Sequence, residues 1–493
     1  MEPLYKKYPM WSATAKALDR VTARGDRGAC LFMEMGTAKT RLMIHQLERL
    51  FQEGNLLTLV VAPIAAMYVW VNEWDKWAKG PITFVDLQEL GSTGLELAIN
   101  LTRDGYPVIC LVNYESARMI GHSWVERTKR NGEVVREFKE VGLCLHHINW
   151  DICIADEATA IKNNASKVSK FFLRKLRPVS TYIYVLTGTA YTKRPLDVYP
   201  IVKFATGTEV MPKTYTAFKS MYAIPHPYIR GAVSGYQNLD DLVQRLSKVA
   251  VLLKKEDVVD IPPLTHEVRL IPLSKKSRNL YDELTEDLYA ELEMQEKEGL
   301  TVTVNHVFSL MRKQLQITGG HIKVDSDDPA IPSETVYIGT EKLDDLLSIL
   351  EEREDPTIIV TQFNAEEVMI ADAIEKKFNF RPRILNGSVK TAAERENMRR
   401  CAMNEPVFIV KEQVGCQGID LRFADLMIFY SHSPNTENYE QMLARNHRGG
   451  QTKKVTALHL LCKNTVDLRV MSILKRDLDI AKQIEQDWRA LIK

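Results

Sequence analysis

The sequence predicts an α/β protein whose strands form parallel sheets. Short, almost entirely apolar runs, such as Leu57–Ala62 and Val108–Val112, alternate with longer stretches of helical periodicity. Runs of this kind are typical of parallel strands that are covered on both faces. The 493 residues, of which 45% are hydrophobic and 26% charged, exclude a disordered or fibrous chain and suffice for about two to four globular domains.

The bulk composition narrows the class of protein further. Because the formal net charge is only +1, a nucleic acid would be held at a local basic region and not by a basic surface overall. Seven cysteines without a regular framework indicate reduced thiols. The longest apolar stretch, residues 56–71, contains Pro63 and is interpreted as strand, turn and helix, which argues against a membrane span. We therefore expect a soluble, cytoplasmic protein.

A loop of small residues, Glu34–Thr40, connects the first predicted strand, Gly28–Met33, to a helix. This order is the layout of a phosphate-binding loop, in which backbone N–H groups and the helix N-terminus hold phosphates. Lys39 is predicted to contact the β and γ oxygens, and the hydroxyl of Thr40 to bind Mg²⁺. Ala38 stands where the usual pattern has glycine, so its methyl group either crowds the phosphate or is tolerated at a negative φ. The predicted nucleotide contacts of this loop are Met35, Gly36, Thr37, Ala38, Lys39 and Thr40.

A pair of carboxylates, Asp156 and Glu157, follows the buried run Trp150–Ala155. In open α/β sheets, ligands bind at this end of a strand. Asp156 is placed to hold Mg²⁺ through water, and Glu157 to orient and deprotonate an attacking water. The alternative is an exposed acidic turn, but the phosphate-binding loop upstream favours catalysis. A later predicted strand, Tyr182–Leu186, ends in small residues that are predicted to sense the γ-phosphate, namely Thr187, Gly188 and Thr189.

The region between these motifs has weaker signals. The basic, alternating segment Trp124–Glu140 is interpreted as an exposed β-hairpin, and a solvated hairpin is favoured over one that contacts a phosphate backbone. Cysteine and histidine also recur nearby. Their spacing matches no standard zinc pattern, so we do not expect a metal cluster formed by Cys144, His146, His147 and Cys153.

Taken together, the motifs resemble the first motor lobe of superfamily-two helicases. Within that group, the stretch Asp156–Asn163 resembles the Asp-Glu-Ala-His-x-Ile-Lys-Asn of the Swi/Snf-type ATPases, with Thr159 in place of histidine. A more specific likeness is Gln441–Gln451, which resembles the family's Gln-Ala-x-x-Arg-x-His-Arg-x-Gly-Gln. There Arg445 and Arg448 are three residues apart on one predicted helical face, and guanidinium groups suit the charge of a phosphoryl-transfer transition state. The resemblance makes both of them arginine-finger candidates.

The resemblance implies two RecA-like parallel-sheet lobes with a mainly helical insertion between them. The expected boundaries are 1–205 for the first lobe, 206–335 for the insertion, 336–465 for the second lobe and 466–493 for C-terminal brace helices. ATP and Mg²⁺ are expected in the cleft between the lobes, where the arginines of the second lobe complete the site. The second lobe is also expected to contact ATP through Gly418, Asp420 and Gln441.

By the same resemblance, the track is double-stranded DNA, along which alternating closure of the lobes moves the protein. The implied nucleic-acid contacts are spread over both lobes: Pro63, Asn113, Tyr114, Lys255, Gln362, Gly387 and Lys411. The chain departs from the family pattern in places: residues 411–412 (Lys-Glu) replace Ser-Thr, residues 252–253 (Leu-Leu) replace two arginines, and Asp420 replaces asparagine. No glutamine precedes the first helix, where Trp11 either stacks on the base or belongs to the core.

Two other functions compete with a DNA translocase. A strand-separating helicase that acts on RNA or single-stranded DNA is kept open by the Lys-Glu pair at residues 411–412. A degenerate ATPase that serves as a nucleic-acid-binding scaffold is motivated by Ala38, although Lys39, Thr40, Asp156 and Glu157 are intact. We expect a monomeric protein of a bacterial cell or a phage-infected host, with protein partners that supply specificity.

Overall fold

The computed structural model describes residues 10, 12–23, 28–34, 36–128, 134–188, 195–225, 233–254, 257–258, 261–297, 304–324, 334–389, 392–416, 419–448, 451–476 and 478–479. These residues form two compact units. The first contains the described residues up to 258 together with 478–479, and the second contains those between 261 and 476. Each unit is built on its own parallel sheet, as the sequence predicts.

The described part of the first unit contains a seven-stranded sheet in the order β11-β1-β8-β7-β2-β4-β3, and all its pairings are parallel. Two antiparallel pairs, β5–β6 and β9–β10, lie outside this sheet. The strands are β1 (Gly28–Met33), β2 (Leu57–Val61), β3 (Thr83–Asp86), β4 (Val108–Val112), β5 (His122–Thr128), β6 (Val134–Glu140), β7 (Trp150–Asp156), β8 (Ser180–Thr187), β9 (Ala223–Pro225), β10 (Val233–Tyr236) and β11 (Ala250–Leu253).

Helices connect the strands of the first unit. The α-helices are α1 (Ser12–Ala23), α2 (Lys39–Gln52), α3 (Ile64–Trp77), α4 (Leu87–Arg103), α5 (Ser116–Met119), α6 (Lys167–Phe171), α7 (Val198–Thr206), α8 (Tyr215–Tyr222) and α9 (Leu239–Ser247). Short 3₁₀ turns occur at Leu145–His147, Ala158–Ile161, Arg177–Val179 and Pro195–Asp197, and a π-helical turn at Phe172–Leu176.

The first sheet is buried on both faces, which explains its continuous apolar strands. In β1, Leu31 and Met33 pack into the core on one face, whereas Cys30 and Phe32 pack into the core on the other. A strand in this setting has no solvent-facing side and therefore needs no polar alternation. The indole of Trp70 on α3 is fully buried in the same core.

The order of the strands brings the predicted motifs to one edge. β8 lies between β1, which leads into the phosphate-binding loop, and β7, which carries Asp156. Phe32 pairs with Thr187, and Asp156 pairs with Leu186. Because parallel strands end at the same edge of a sheet, the loop, the carboxylates and the end of β8 are neighbours.

The exposed hairpin predicted in the first unit is confirmed by β5 and β6, which pair from His122 with Glu140 to Thr128 with Val134. Trp124 on this hairpin is 65% exposed. The predicted turn at residues 131–132 lies outside the described residues.

The second unit contains, in its described part, a six-stranded parallel sheet in the order β12-β19-β18-β15-β17-β16, and a separate antiparallel pair, β13–β14. Its strands are β12 (Leu264–Ile271), β13 (His321–Val324), β14 (Glu334–Tyr337), β15 (Thr357–Thr361), β16 (Arg383–Leu385), β17 (Val407–Lys411), β18 (Leu426–Phe429) and β19 (Val455–Cys462). Its helices are α10 (Lys275–Lys297), α11 (Val304–Thr318), α12 (Glu341–Glu351), α13 (Asn364–Phe378), α14 (Ala392–Ala402), α15 (Glu412–Gly415), α16 (Thr436–Asn446) and α17 (466–476).

The stretch predicted as a mainly helical insertion, 206–335, also contributes strands to both sheets. β11 pairs with β1 at the edge of the first sheet, and β12 pairs with β19 at the edge of the second. Two long helices, α10 and α11, lie within this stretch. The predicted domain boundaries stay predictions, and most of the predicted C-terminal brace, 480–493, lies outside the described residues.

All seven cysteines are free thiols, and six of them are buried, with Cys401 half-buried on α14. This agrees with the reduced state that the sequence predicts. Among the described residues, no helix has the length and apolar character that a membrane crossing requires.

Candidate active site

The loop between β1 and α2 is fixed by hydrogen bonds from within the first unit. The hydroxyl of Thr37 donates to the carbonyl oxygen of Glu34 at 2.7 Å. The hydroxyl of Thr14 on α1 donates to the carbonyl oxygen of Thr37 at 3.2 Å, and both threonines are fully buried. Gly36 adopts a φ of 87°, which glycine reaches without strain. The loop is therefore held open before any ligand binds, although Met35 lies outside the described residues.

Ala38 adopts the left-handed conformation, with φ 63° and ψ 38°. The negative φ that the sequence analysis offered as a way to tolerate the methyl group is therefore wrong. For a residue with a Cβ this conformation costs about 1–2 kcal/mol. The backbone carbonyl of Ala38 accepts the first hydrogen bond of α2, from the nitrogen of Leu42 at 3.0 Å, which helps to hold the strained geometry.

Lys39, the first residue of α2, has a buried ammonium group. No described residue accepts a hydrogen bond from its Nζ, and the nearest opposite charge is Oε1 of Glu157 at 3.7 Å. A buried cation without a hydrogen-bond partner is costly, because it has lost its water and gained little in return. A phosphate oxygen would supply the missing acceptor, so this position fits the nucleotide predicted for it. Thr40 follows it on α2 and is partly exposed.

Asp156 ends β7 with its side chain buried. Its Oδ2 accepts from the indole Nε1 of Trp70 at 3.0 Å, and its Oδ1 accepts from the backbone nitrogen of Glu157 at 2.9 Å. Burial raises the pKa of Asp156 to about 6; the charge of Glu157 adds to this shift and that of Lys39 opposes it. Each carboxylate oxygen keeps a free lone pair, so the group can still hold a metal-bound water.

Glu157 lies in the left-handed region, with φ 50° and ψ 54°. The next residues, Ala158 and Ile161, are buried in a 3₁₀ turn that fixes this reversal of the chain. The side chain of Glu157 points toward Lys39, with Oε1 3.7 Å from Nζ. The exposed acidic turn, which the sequence left as an alternative, is therefore not what the structure shows.

The end of β8 lies between the loop that follows β1 and the carboxylates at the end of β7. Thr187 is fully buried beside β1, and Gly188 is partly buried. Thr189 lies outside the described residues. A cation, two carboxylates and hydroxyl groups thus meet at one edge of the first sheet, which is the set needed to bind a triphosphate with Mg²⁺ and to activate water.

The predicted nucleic-acid contacts of the first unit differ in exposure. Pro63 is exposed at the start of α3. The amide of Asn113 donates to Gln88 at 2.6 Å and is only partly exposed. Tyr114 is buried against Phe172, and its hydroxyl donates to the backbone carbonyl of Asp156 at 2.8 Å. The prediction of a direct contact between Tyr114 and nucleic acid is corrected, because this side chain instead positions the catalytic strand.

In the second unit, the two predicted arginine fingers have different surroundings. α16 ends at Asn446, so Arg445 and Arg448 do not share one helical face as predicted. The guanidinium of Arg445 donates from Nε at 3.0 Å and from Nη2 at 2.8 Å to the carbonyl oxygen of Cys416. These two bonds tie Arg445 to the end of α15, and its role as a finger stays a prediction.

Arg448 is half-buried just beyond α16, and no described residue accepts a hydrogen bond from its guanidinium.

The other predicted ATP contacts of this unit include Asp420. Its carboxylate is paired with the guanidinium of Arg422 through three N–O distances between 2.6 and 3.1 Å. Although burial raises the pKa of Asp420, hydrogen bonds from Arg422 outweigh it, and the charge of Arg448 also lowers the value. Gln441 is partly exposed on α16, and Gly418 lies outside the described residues.

The predicted nucleic-acid contacts of the second unit follow three adjacent strands, β15, β17 and β16. Gln362 donates through its side chain to the carboxylate of Glu412. Lys411 donates to the side-chain oxygen of Asn364. Gly387 is exposed, with open space where a side chain would be. Lys255 lies outside the described residues.

Sequence reasoning missed residues that position the site. Trp70 holds Asp156 through the indole N–H, and Thr14 holds the phosphate-binding loop. Both belong to helices whose apolar pattern predicts only core packing. Neither had a recognisable motif, because their partners are distant in sequence.

Two known protein families match long parts of this chain. Residues 16–319, more than half of the chain, match the SNF2-related domain. The chain belongs to the SNF2-related family. Residues 340–450 match the helicase conserved C-terminal domain, so this family member is a helicase-like, nucleic-acid-dependent ATPase.

Several relatives of this SNF2-related chain are chromatin proteins. It is 24% identical to the CHD3-type chromatin-remodeling factor PICKLE of Arabidopsis thaliana, over 90% of this chain and 32% of the relative. It is 25% identical to the human SWI/SNF-related matrix-associated actin-dependent regulator of chromatin subfamily A member 1, over 93% of this chain and 42% of the relative. The chain thus spans less than half the length of these relatives.

A solved structure, the Sulfolobus solfataricus SWI2/SNF2 ATPase core in complex with dsDNA, is 21% identical. The match covers 99% of this chain and 96% of that chain, with a TM-score of 0.41.

Proposed function

We propose that this protein is an ATP-driven translocase on double-stranded DNA that moves along DNA or remodels protein–DNA complexes. The observation that carries the ATPase part is the buried ammonium of Lys39, which lacks a hydrogen bond and faces Glu157 beside Asp156. The choice of duplex DNA is supported by family membership and by relatives that are named for chromatin remodelling.

Hydrolysis is assigned to the residues at the edge of the first sheet. Lys39 binds the terminal phosphates, which replace Glu157 as its partner. Thr40, and Asp156 through water, would hold Mg²⁺, which would supply positive charge to the phosphate oxygens. Glu157, released from Lys39, orients a water and accepts its proton. Arg448 of the second unit supplies the cation for the transferred phosphoryl group.

Support for a link between hydrolysis and movement comes from β8. Its end, at Thr187, is paired with the strand before the phosphate-binding loop and lies next to the strand of Asp156. A shift at either neighbour when phosphate leaves therefore reaches β8 through backbone hydrogen bonds. We propose that Thr187 and Gly188 detect the state of the nucleotide in this way.

Support for a track-binding edge comes from the second sheet. Gln362, Lys411 and Gly387 end three adjacent parallel strands and so belong to one edge of that sheet. Contacts of this type, from amides, a lysine and an open backbone position, suit a phosphate backbone and carry no base specificity. The carboxylate of Glu412 lies among them and would weaken the attraction to phosphates. We therefore propose weak, salt-sensitive binding. We also propose that protein partners supply specificity and that the chain acts as a monomer.

The test is steady-state ATP hydrolysis by the full chain, alone and with duplex DNA, single-stranded DNA or duplex RNA. We expect duplex DNA to stimulate turnover most, and Lys39→Ala to abolish turnover with every nucleic acid. Displacement of a third strand from a DNA triplex, driven by ATP, would then demonstrate movement along the duplex.

The other outcomes of this test contradict the proposal in distinct ways. Stronger stimulation by single strands or RNA would support a strand-separating helicase. ATP binding without turnover under any condition would support a nucleic-acid-binding scaffold.

A further inference from the structure

Four metal-ligating side chains meet at the base of the β5–β6 hairpin. Glu140 is the last residue of β6. Cys144 directly precedes the 3₁₀ turn before β7, and His146 and His147 belong to that turn. One ligand atom from each of the four lies within 4.8 Å of the others. A tetrahedral zinc site brings its donors to about 3.5 Å from one another, so movements below about 1 Å would complete it.

The carboxylate of Glu140 is at the centre of this cluster. Its Oε1 lies 3.2 Å from Nε2 of His146, and its Oε2 lies 3.5 Å from Nε2 of His147. A third imidazole, that of His122 at the start of β5, has Nε2 3.7 Å from Oε1 of Glu140 and Nδ1 3.9 Å from Sγ of Cys144. One thiol and one carboxyl group are thus surrounded by three imidazoles.

The backbone that carries these side chains is fixed on several sides. The carbonyl of Gly121 accepts from Val141 at 2.7 Å and from Gly142 at 3.0 Å. The indole of Trp150, at the start of β7, donates to the carbonyl of Leu145 at 2.9 Å. Gly121 has a φ of 78°, and a Cβ there would lie 2.6 Å from Sγ of Cys144. The thiol is therefore enclosed in a shaped position in which 1% of the residue is exposed.

The imidazole of His146 gives a separate indication of a missing ligand. Its side chain is nine-tenths buried, with 10% exposed, and no described residue makes a hydrogen bond with its Nδ1. A buried ring nitrogen without a partner is rare in folded proteins. A metal ion bound through Nδ1 would supply that partner and would leave Nε2 of His146 next to Oε1 of Glu140, 3.2 Å away.

We propose that Glu140, Cys144, His146 and His147 bind Zn²⁺, with His122 packed against the site. A thiolate, two imidazoles and a carboxylate form a mixed ligand set that zinc accepts in tetrahedral geometry. On binding, the thiol proton of Cys144 is released to solvent. If Nε2 of His147 binds the metal, the ring proton moves to Nδ1. Nδ1 can then no longer accept the 3.3 Å hydrogen bond from the backbone nitrogen of Cys144, so this bond is lost.

The position of the site indicates a structural role. All four ligands come from the protein, which leaves no open position for substrate. The site precedes Trp150, at the start of β7, whereas Asp156 ends that strand, roughly 20 Å away at a rise of about 3.3 Å per residue. The ion would fasten the hairpin to the entry of the strand that carries the catalytic carboxylates. This inference does not depend on the proposed translocase function.

The structure also explains why the sequence did not predict this site. Cys153 is fully buried within β7 and is not part of the cluster. Glu140, which completes the set, belongs to the predicted hairpin and has no place in standard zinc spacings.

The test is metal binding by the full chain. After saturation with Zn²⁺ and dialysis, elemental analysis should find one zinc per chain in the natural protein. Titration of the metal-free protein with Co²⁺ should give a thiolate-to-cobalt charge-transfer band and the intense visible absorption of tetrahedral cobalt. Cys144→Ser should lose the charge-transfer band, and His147→Gln, at a partly exposed position, should lose the bound zinc.

Cys401→Ser and His45→Gln are matched controls outside the cluster and should bind zinc as the natural protein does. Circular dichroism of each variant separates loss of metal from loss of fold. Equal zinc content in the natural protein, Cys144→Ser and His147→Gln would overturn the proposal, as would the absence of a charge-transfer band with excess Co²⁺.

Discussion

Lys39 on α2 of the first unit and Arg445 on α16 of the second are both cations of a predicted nucleotide site, but their surroundings differ. No described residue accepts a hydrogen bond from Lys39, whereas Arg445 makes two hydrogen bonds to the carbonyl of Cys416. Two further polar groups of the second unit, Gln362 and Lys411, are also each bound by a side chain of their own unit.

This difference separates a cation that lacks a hydrogen-bond acceptor from polar groups that already have partners in their own unit. A buried ammonium that lacks a hydrogen bond costs free energy until an acceptor arrives, so a nucleotide regains that cost when it binds. Polar groups that already have partners must exchange them to bind, which leaves little net gain. We therefore expect strong, localised nucleotide chemistry in the first unit and weak, exchangeable contacts in the second, with Arg448 as the exception.

The sharpest comparison is between Arg448→Ala and Arg445→Ala. Arg448→Ala should lower the DNA-stimulated kcat by about 10³-fold or more, because an arginine finger contributes at least that factor. The thermal stability of Arg448→Ala should not change.

Arg445→Ala should destabilise the fold by about 1–3 kcal/mol, because the carbonyl of Cys416 loses its donors. ATPase kinetics and thermal unfolding measure both effects, and Arg448→Lys controls for charge alone. A loss of kcat in Arg445→Ala equal to that in Arg448→Ala, at unchanged stability, would contradict the division of roles.

The second comparison concerns Glu157, which pairs with Lys39 in the absence of nucleotide. Glu157→Gln should bind ATP at least as well as the natural protein, but its turnover should fall by about 10²–10³-fold, because the general base is lost. Fluorescent-nucleotide binding and single-turnover hydrolysis distinguish the two effects. Glu115→Gln, at an exposed position after β4, is the matched control. Near-normal turnover in Glu157→Gln would remove this residue from the mechanism.

A smaller effect is expected at Ala38, because its strain is confined to the backbone. Ala38→Gly should keep or improve ATP affinity, since glycine adopts φ 63° without strain. Ala38→Val should weaken it about 10-fold or more, because a β-branched side chain pays more for the left-handed region. Calorimetric titration with a non-hydrolysable nucleotide measures both. Equal affinity in the two variants would show that the bound loop does not use this conformation.

The last prediction concerns a buried carboxyl group of the second unit, that of Glu366. Burial raises the pKa of Glu366 to about 7 from 4.5. Between these values the folded protein holds a proton that the unfolded chain has released, so stability falls as pH rises, by up to about 1.4 kcal/mol per pH unit. Glu366→Gln should flatten this dependence in urea unfolding between pH 5 and 8. Glu354→Gln, at an exposed position, should not. An unchanged slope in Glu366→Gln would mean that other groups set the pH dependence.

The parallel sheets could be predicted because each central strand is a continuous apolar run. The exceptions were β11 and β12, edge strands that lie within a stretch of helices. β11 is an apolar run of only four residues, too short to stand out, and β12 has mostly exposed side chains, unlike a buried strand.

The residues of the candidate site were predictable where a motif fixes them locally, as for Lys39 and Asp156. The backbone angles of the site could not be predicted. The left-handed conformations of Ala38 and Glu157 depend on tertiary packing around two loops. The role of Arg445 could not be predicted either. Its partner is a carbonyl of Cys416, 29 residues earlier, and a backbone acceptor leaves no trace in side-chain sequence.

The burial of six of the seven cysteines makes the native protein a convenient substrate for thiol labelling. A maleimide dye should react at Cys401 on α14 and spare the others, which places one fluorophore on the second unit without any substitution. Glu115→Cys would add a second, exposed attachment point on the first unit. Energy transfer between the two dyes would then follow the separation of the units in single molecules during each cycle of hydrolysis.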